Sequence, residues 1–212
     1  MDCIQVRNVT KRFNQFIALN NISLTFEEGK IHGIVGRNGS GKTVLFKCIC
    51  GFMYPELGEI IVNGKRIGKD TDIAEDVGII IENPGFLPNY SGYKNLRFLA
   101  ELSGNVKKTR IEDVLELVGL DPSNRKNVGK YSMGMRQRLG IAQAILENPS
   151  LLILDEPMNG LDNQGVKDMR RLFLSLKEEG KTILLASHNK EDISVLCDTV
   201  IEMDHGEIIS CS

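Results

Sequence analysis

Apolar and polar positions alternate early in the chain, at Val6 and Val9 and again through Ile22, Leu24 and Phe26. Period two is the signature of half-buried strands. A turn at Glu28-Gly29 leads into a strand-like run over 30–35, which breaks into Gly36-Arg37-Asn38-Gly39-Ser40-Gly41-Lys42-Thr43. A helix is expected from about residue 42 to 50, stopped by Gly51. Residues 59–62 and 65–67 flank Asn63-Gly64, the pair that supplies the two positive φ angles of a type I′ hairpin turn. Residues 78–81 form another short buried-strand candidate.

The period then changes. From about residue 92 to 148, Leu96, Leu99 and Ala100, then Ile111, Val114, Leu115 and Val118, recur at three and four. Gly104 and Gly119 read as helix stops, and Ser132 as the N-cap of a helix running to about Glu147, with Pro149 just beyond. Strands return at 151–154, a compact apolar run ending in Asp155-Glu156-Pro157, and at 182–186. Helices are expected over 164–179, closed by Gly180, and over 191–197, before a last hairpin around His205-Gly206. We find no repeat, linker or low-complexity stretch. The pattern predicts one α/β domain over 1–212 with a helical insertion at about 84–148.

Composition adds exclusions. A net charge of -2 over 212 residues gives no electrostatic case for a nucleic-acid partner, and none is expected. The five cysteines lack paired metal-ligand spacing: Cys48-Ile49-Cys50 has no second pair and no nearby histidine to complete a site. They read as reduced thiols in a reducing cytosol. The first residues hold no apolar signal segment, and no run approaches the roughly 20 apolar residues of a membrane span. A soluble chain is expected; if it works at a membrane, another chain holds it there.

The candidate chemistry starts at 36–43, which follows the pattern Gly, four residues, Gly-Lys-Thr. Here glycines let backbone N–H groups turn inward around phosphates, and the following helix points its positive end at the same place. Lys42 would reach the β- and γ-phosphates, and the Thr43 hydroxyl would ligate Mg²⁺. The acidic partner should end a buried strand. Asp155 does so and would hold Mg²⁺ directly or through water, with Glu156 the natural general base for an attacking water.

A guanine-nucleotide reading competes within the same loop class. Asp162-Asn163-Gln164-Gly165 and Asn189-Lys190-Glu191-Asp192 match its two further patterns in the right order. The first aspartate should end a strand, however, and Asp162 sits in the polar stretch after Pro157. That reading also leaves the central helical segment without a role.

The remaining motifs resemble the ATP-binding subunits of ATP-binding-cassette (ABC) transporters, over nearly the whole chain. Tyr131-Ser132-Met133-Gly134-Met135-Arg136-Gln137-Arg138 is similar to the family signature, Leu-Ser-Gly-Gly-Gln in its commonest form; Tyr131, Met133 and Met135 depart from it, and Ser132 and Gly134 are retained. Asn159-Gly160-Leu161-Asp162 resembles the D-loop, Ser187-His188 the switch-histidine loop, and Phe13 the aromatic that stacks on adenine, usually a tyrosine. Where most members carry a glutamine that senses Mg²⁺ and meets the membrane subunit, this chain has Glu82, within Ile81-Glu82-Asn83-Pro84-Gly85-Phe86-Leu87-Pro88-Asn89. Glu82 together with the Ser-Met-Gly-Met signature resembles the branch that exports, or confers immunity to, peptide antibiotics such as bacitracin and lantibiotics.

The resemblance implies a fold of P-loop NTPase type: a mostly parallel core sheet, an antiparallel β subdomain and a helical subdomain. It implies ATP hydrolysis with ATP and Mg²⁺ as cofactors, and a head-to-tail dimer with ATP at the interface, formed by two copies or with a related ATPase. Glu156, His188 and Lys42 would act in catalysis. Phe13, Gly36, Asn38, Gly39, Ser40, Gly41, Lys42, Thr43 and Asp162 would bind nucleotide, with Ser132 and Gly134 serving across the interface. Thr43, Glu82 and Asp155 would serve the metal. An integral membrane permease would convert the cycle into transport, placing the chain in the cytoplasm on the inner face of the membrane. A non-transport ABC ATPase acting as an assembly or regulatory switch, and a regulator with little turnover, stay open at this level. His32 and His205 have no motif role.

Overall fold

The computed structural model describes residues 2–82, 84–104 and 106–212. Two twelve-residue strands open the chain, β1 (Asp2–Phe13) and β2 (Phe16–Glu27). A turn joins them in which Asn14 takes φ 55°, the left-handed conformation that asparagine tolerates better than most side chains. The chain then runs through β3 (Ile31–Val35) and helix α1 (Lys42–Cys50), and returns with β4 (Leu57–Val62) and the two-residue β5 (Lys65–Arg66). Asn63 and Gly64, at φ 48° and 76°, make the expected hairpin turn. The resulting antiparallel sheet has the order β2-β1-β4-β5.

The second sheet is built on parallel pairing. Strands β6 (Val77–Ile80), β7 (Leu151–Asp155), β8 (Thr182–Ala186) and β9 (Thr199–Asp204) join β3 in the order β9-β3-β8-β7-β6, and β10 (Glu207–Cys211) lies antiparallel on β9. Three helices lie between β6 and β7: α2 (Gly92–Ser103), α3 (Lys108–Leu117) and α4 (Met133–Ile145). Helices α5 (Asn163–Glu178) and α6 (Lys190–Leu196) follow β7 and β8.

The continuous apolar runs of β7 and β8 follow from their position. Side chains alternate across a strand, so a central strand covered on both faces needs apolar residues at every position. Leu152, Leu154, Ile183 and Leu185 enter a core shared with α2–α5, whereas Leu151, Ile153, Leu184 and Ala186 enter a core shared with α1 and the antiparallel sheet. The helices close tightly on the sheet edge. A Cβ added at Gly78 of β6 would stand 2.0 Å from the Ala144 carbonyl oxygen of α4, so a larger residue there would push the signature-bearing helix off the sheet.

Element boundaries fall within one or two residues of the sequence expectation, apart from the middle of the helical segment. Between α3 and α4 the backbone is mostly irregular, with only a 3₁₀ turn at residues 128–130. Pro122 opposes helix there, and the Asp121 carboxylate accepts from both the backbone N–H (2.8 Å) and the hydroxyl (2.7 Å) of Ser123. His32 is a structural group. Burial holds it below the ordinary histidine range, against the raising effect of its hydrogen bond to the Glu27 carbonyl. Cys48 and Cys50 are also buried, and desolvation pushes their thiols up to about 11 and about 12, which leaves them protonated and unreactive. His205 is exposed beside Asp204.

Candidate functional site

The end of β3 feeds a loop that turns by glycines and then becomes α1. Gly39 and Gly41 hold φ 82° and 105°. A Cβ at Gly41 would stand 2.6 Å from the Ala18 carbonyl oxygen, so the loop is pressed onto β2. Gly41 is also the N-cap of α1 and offers no side chain. The first helix amide with a backbone acceptor is that of Leu45, which donates to Gly41. The preceding N–H groups of the first turn therefore point out of the helix end as free donors. The Ser40 hydroxyl is buried with no hydrogen-bond partner among the described residues. Lys42 is buried too, and its ammonium donates to the carbonyls of Gly36 (2.7 Å) and Arg37 (3.2 Å), lying back along the loop.

Opposite the loop, parallel pairing brings the carboxyl end of β7 level with α1. The Thr43 hydroxyl donates to Asp155 Oδ2 at 2.6 Å. The next residue, Glu156, takes φ 51°, an unusual conformation for a non-glycine residue that turns its carboxylate out of the strand line. Its N–H is held by the Ala186 carbonyl at 2.9 Å, and His188 Nδ1 lies 2.9 Å from its Oε2.

The loop from Asn38 to Val44, together with Asp155, Glu156 and Glu82, lines a cleft of about 590 Å³. Phe13 and Phe16 stand at its mouth on the β1–β2 hairpin, 41% and 61% exposed, and the Lys11 ammonium lies 5.6 Å from the Phe13 ring centroid. Glu82, at φ 60°, is drawn toward α1 by Lys47, whose ammonium is 2.5 Å from its Oε1. A larger groove, about 1150 Å³, lies between β6 and the ends of α3 and α4, and none of the phosphate-loop residues line it.

Five of the residues named from sequence do not line this cleft: Gly36 and His188, which adjoin it through Lys42 and Glu156, and Ser132, Gly134 and Asp162. Ser132 caps α4, its hydroxyl accepting from the Met135 N–H at 3.2 Å, and it is exposed. Gly134 packs on the next loop: a Cβ there would stand 2.8 Å from the Gly160 carbonyl oxygen. Asp162 caps α5 through the Gly165 N–H at 2.8 Å. Asp192, which the guanine-binding pattern would make a ligand, is buried; its Oδ1 accepts from Arg170 Nε (2.9 Å) and Nη2 (2.6 Å). It is consumed in the core and cannot read a base.

Sequence reasoning passed over Phe16 and Lys47, and gave Gln137 and Asn159 no role of their own within the signature-like and D-loop-like segments. Phe16 sits just past the hairpin turn from Phe13, a second aromatic at an exposed tip. Gln137 lies on the first turns of α4, inside the signature-like segment 131–138, of which only Ser132 and Gly134 were given a role. The donor set suits a polyphosphate and a hard divalent cation. An unpartnered buried hydroxyl, a helix start and a lysine face one space, and Thr43 and Asp155 together offer only oxygen ligands. Among the described residues no three His, Cys, Asp or Glu side chains gather into a metal cage. A cation here would complete its shell with phosphate oxygens and water, which is how Mg²⁺ is held in nucleotide sites.

A family model for ABC transporters matches residues 19–159. The chain is 44% identical over 205 residues to the ABC transporter ATP-binding protein YybJ of Bacillus subtilis (strain 168), covering 97% of this chain and 94% of that protein. It is 41% identical over 208 residues to the bacitracin transport ATP-binding protein BcrA of Enterococcus faecalis, covering 97% and 68%. To the lantibiotic transport ATP-binding protein SrtF of Streptococcus pyogenes it is 35% identical over 206 residues, covering 97% and 89%. Among solved structures, an ATP-binding subunit of an ABC transporter superposes with TM-score 0.90 at 25% identity, covering 99% of this chain and 89% of that one. A bacterial ABC transporter cassette solved as a dimer gives 0.89 at 22% identity, covering 99% and 97%, and shares the fold.

Proposed function

The chain belongs to the ABC transporter ATP-binding family, and we propose that it hydrolyses ATP to drive a separate membrane permease that exports peptide antibiotics of the bacitracin or lantibiotic kind. The observation that carries the hydrolytic part is the convergence, on one cleft, of an unpartnered loop and helix start with Thr43, Asp155 and Glu156. The substrate class rests on the likeness to the bacitracin and lantibiotic transport proteins. Among the described residues no helix is long and apolar enough to cross a membrane; the likeness to transport ATP-binding proteins supports a separate chain as the permease. We place the chain on the cytoplasmic face, where ATP is available.

On this reading Phe13, with Phe16 beside it, stacks against the adenine. The loop amides and the Ser40 hydroxyl take the phosphate oxygens. Lys42 exchanges the Gly36 and Arg37 carbonyls for the β- and γ-phosphates, a charge-assisted bond in place of two neutral ones. Glu156 takes a proton from the attacking water as the oxygen–phosphorus bond forms and the bond to the ADP leaving oxygen breaks. His188, already on Glu156 Oε2, keeps that carboxylate aimed. Mg²⁺, when bound by Thr43 and Asp155, would neutralise charge developing on the phosphates. Ser132 and Gly134 lie outside this cleft because they serve the nucleotide of a second copy or a related ATPase. Their helix start supplies the same kind of donors as α1.

Export predicts a cellular phenotype. Cells expressing the chain with its permease should survive bacitracin-type peptides better than cells carrying the permease with the Lys42→Ala chain. Equal survival of the two, with both proteins present in the membrane fraction, would remove the substrate assignment.

Glu82 makes a separate prediction. Its carboxylate adds negative charge beside the triphosphate and now pairs with Lys47. Glu82→Gln removes that charge and frees Lys47 to attract phosphate, so metal-free ATP affinity should rise by about two- to tenfold at a partly screened distance. The dependence of affinity on Mg²⁺ should fall. Titrating ATP with and without Mg²⁺ decides this; superimposable curves for the two proteins would leave Glu82 a solvated strand end.

A further inference from the structure

The backbone of Glu156 is held in its left-handed conformation by three hydrogen bonds. Its N–H donates to the Ala186 carbonyl at the end of β8, and its own carbonyl accepts from the Asn159 N–H at 3.2 Å within the following turn. The third comes from α4: Gln137 Nε2 donates to the Pro157 carbonyl at 2.9 Å and, more weakly, to the Glu156 carbonyl at 3.4 Å. Both partners are carbonyls, which only accept, so the orientation of the Gln137 amide is fixed by its surroundings. Gln137 also lines the nucleotide cleft.

The neighbouring contacts leave this helix little freedom to move past the loop. Gly134 rests on the Gly160 carbonyl, and the Met133 side chain lies over Gly160 itself. Arg138 donates to the Val118 carbonyl at 2.6 Å and lies 3.6 Å from Asp168 of α5. Ser132, at the helix start, precedes Gln137 by five residues, about 7.5 Å along a rigid axis. A shift of α4 when Ser132 engages a phosphate therefore reaches the Pro157–Met158 peptide, and more weakly the Glu156–Pro157 peptide, through one amide.

We propose that Gln137 is a positioning residue for the base, and that through it the helix serving one nucleotide sets the geometry of hydrolysis at the other. This rests on the reading of Glu156 as the base and of Ser132 as facing a partner's nucleotide. Two variants of nearly equal length test it. Gln137→Met removes the donor, and Gln137→Glu sets a carboxylate against two carbonyls. In Gln137→Met, kcat should fall about tenfold, the rate equivalent of roughly one hydrogen bond, with KM for ATP and the melting temperature little changed. In Gln137→Glu the fall should be larger. In both, the Hill coefficient for ATP hydrolysis should drop toward one, a readout that loss of packing alone does not move.

Turnover at the wild-type rate in a folded Gln137→Met chain would overturn the positioning role. So would a loss confined to KM, or a failure of both variants to fold. A reduced kcat with an unchanged Hill coefficient would overturn the link between sites. Glu156→Gln is measured alongside. If that variant keeps more than about a tenth of the wild-type rate, the assignment of the base fails. If it does not, while the Gln137 variants turn over normally, only the present inference fails.

Discussion

Replacing Lys42 by alanine is expected to abolish detectable ATP binding while leaving the protein folded. The two halves of this expectation have different physical origins. Among the described residues, the ammonium is bonded only to the Gly36 and Arg37 carbonyls, and no carboxylate is a partner. Removing it strands no buried counter-charge, so the cost to the fold is that of ordinary hydrogen bonds, about 1 kcal/mol, and not that of a broken buried ion pair. Toward a triphosphate the same ammonium is a point charge in a partly enclosed cleft, where charge-assisted bonds are about twice as strong as neutral ones. Its loss should weaken affinity by about a hundredfold or more, the equivalent of about 3 kcal/mol. Fluorescent-ATP titration with circular dichroism on the same sample reads both halves. A folded Lys42→Ala protein with wild-type affinity would show that nucleotide binds elsewhere.

How much of this was legible beforehand depends on the kind of signal. The loop and α1 were readable to the residue, because phosphate binding needs glycine at fixed positions and a lysine at the helix start. The strands β7 and β8 were readable because burial on both faces demands unbroken apolar runs. Residues 118–132 were less so: Val118 and Leu120 are buried and extend the helical spacing, but the local bonds of Asp121 and the ring of Pro122 decide the backbone. The pattern Asn189–Asp192 matches a ligand set that the place of Asp162 already argued against; the fold adds that Arg170, nineteen to twenty-two positions away in sequence, holds Asp192 in the core. Gln137 and Lys47 carry no type-specific pattern. Their roles arise from what the fold sets opposite them, a pair of carbonyls and a carboxylate, and no local reading of the chain supplies those partners.

The second large effect is expected at Glu156. Glutamine has the same length and shape, accepts the bond from His188 Nδ1 through its amide oxygen, and leaves the backbone contacts to Ala186, Asn159 and Gln137 in place. It cannot take a proton from water. Hydrolysis should therefore fall by at least about a hundredfold, the usual scale for loss of a general base, while ATP affinity persists. With hydrolysis blocked and binding intact, a site completed by Ser132 and Gly134 of a second copy should stay closed. Light scattering at saturating ATP should then show a dimer, and removing ATP should return the monomer. Retention of more than about a tenth of the wild-type rate would move the base to another group. A mutant that binds ATP yet stays monomeric would confine the exposed start of α4 to its own chain and leave Ser132 a helix cap alone.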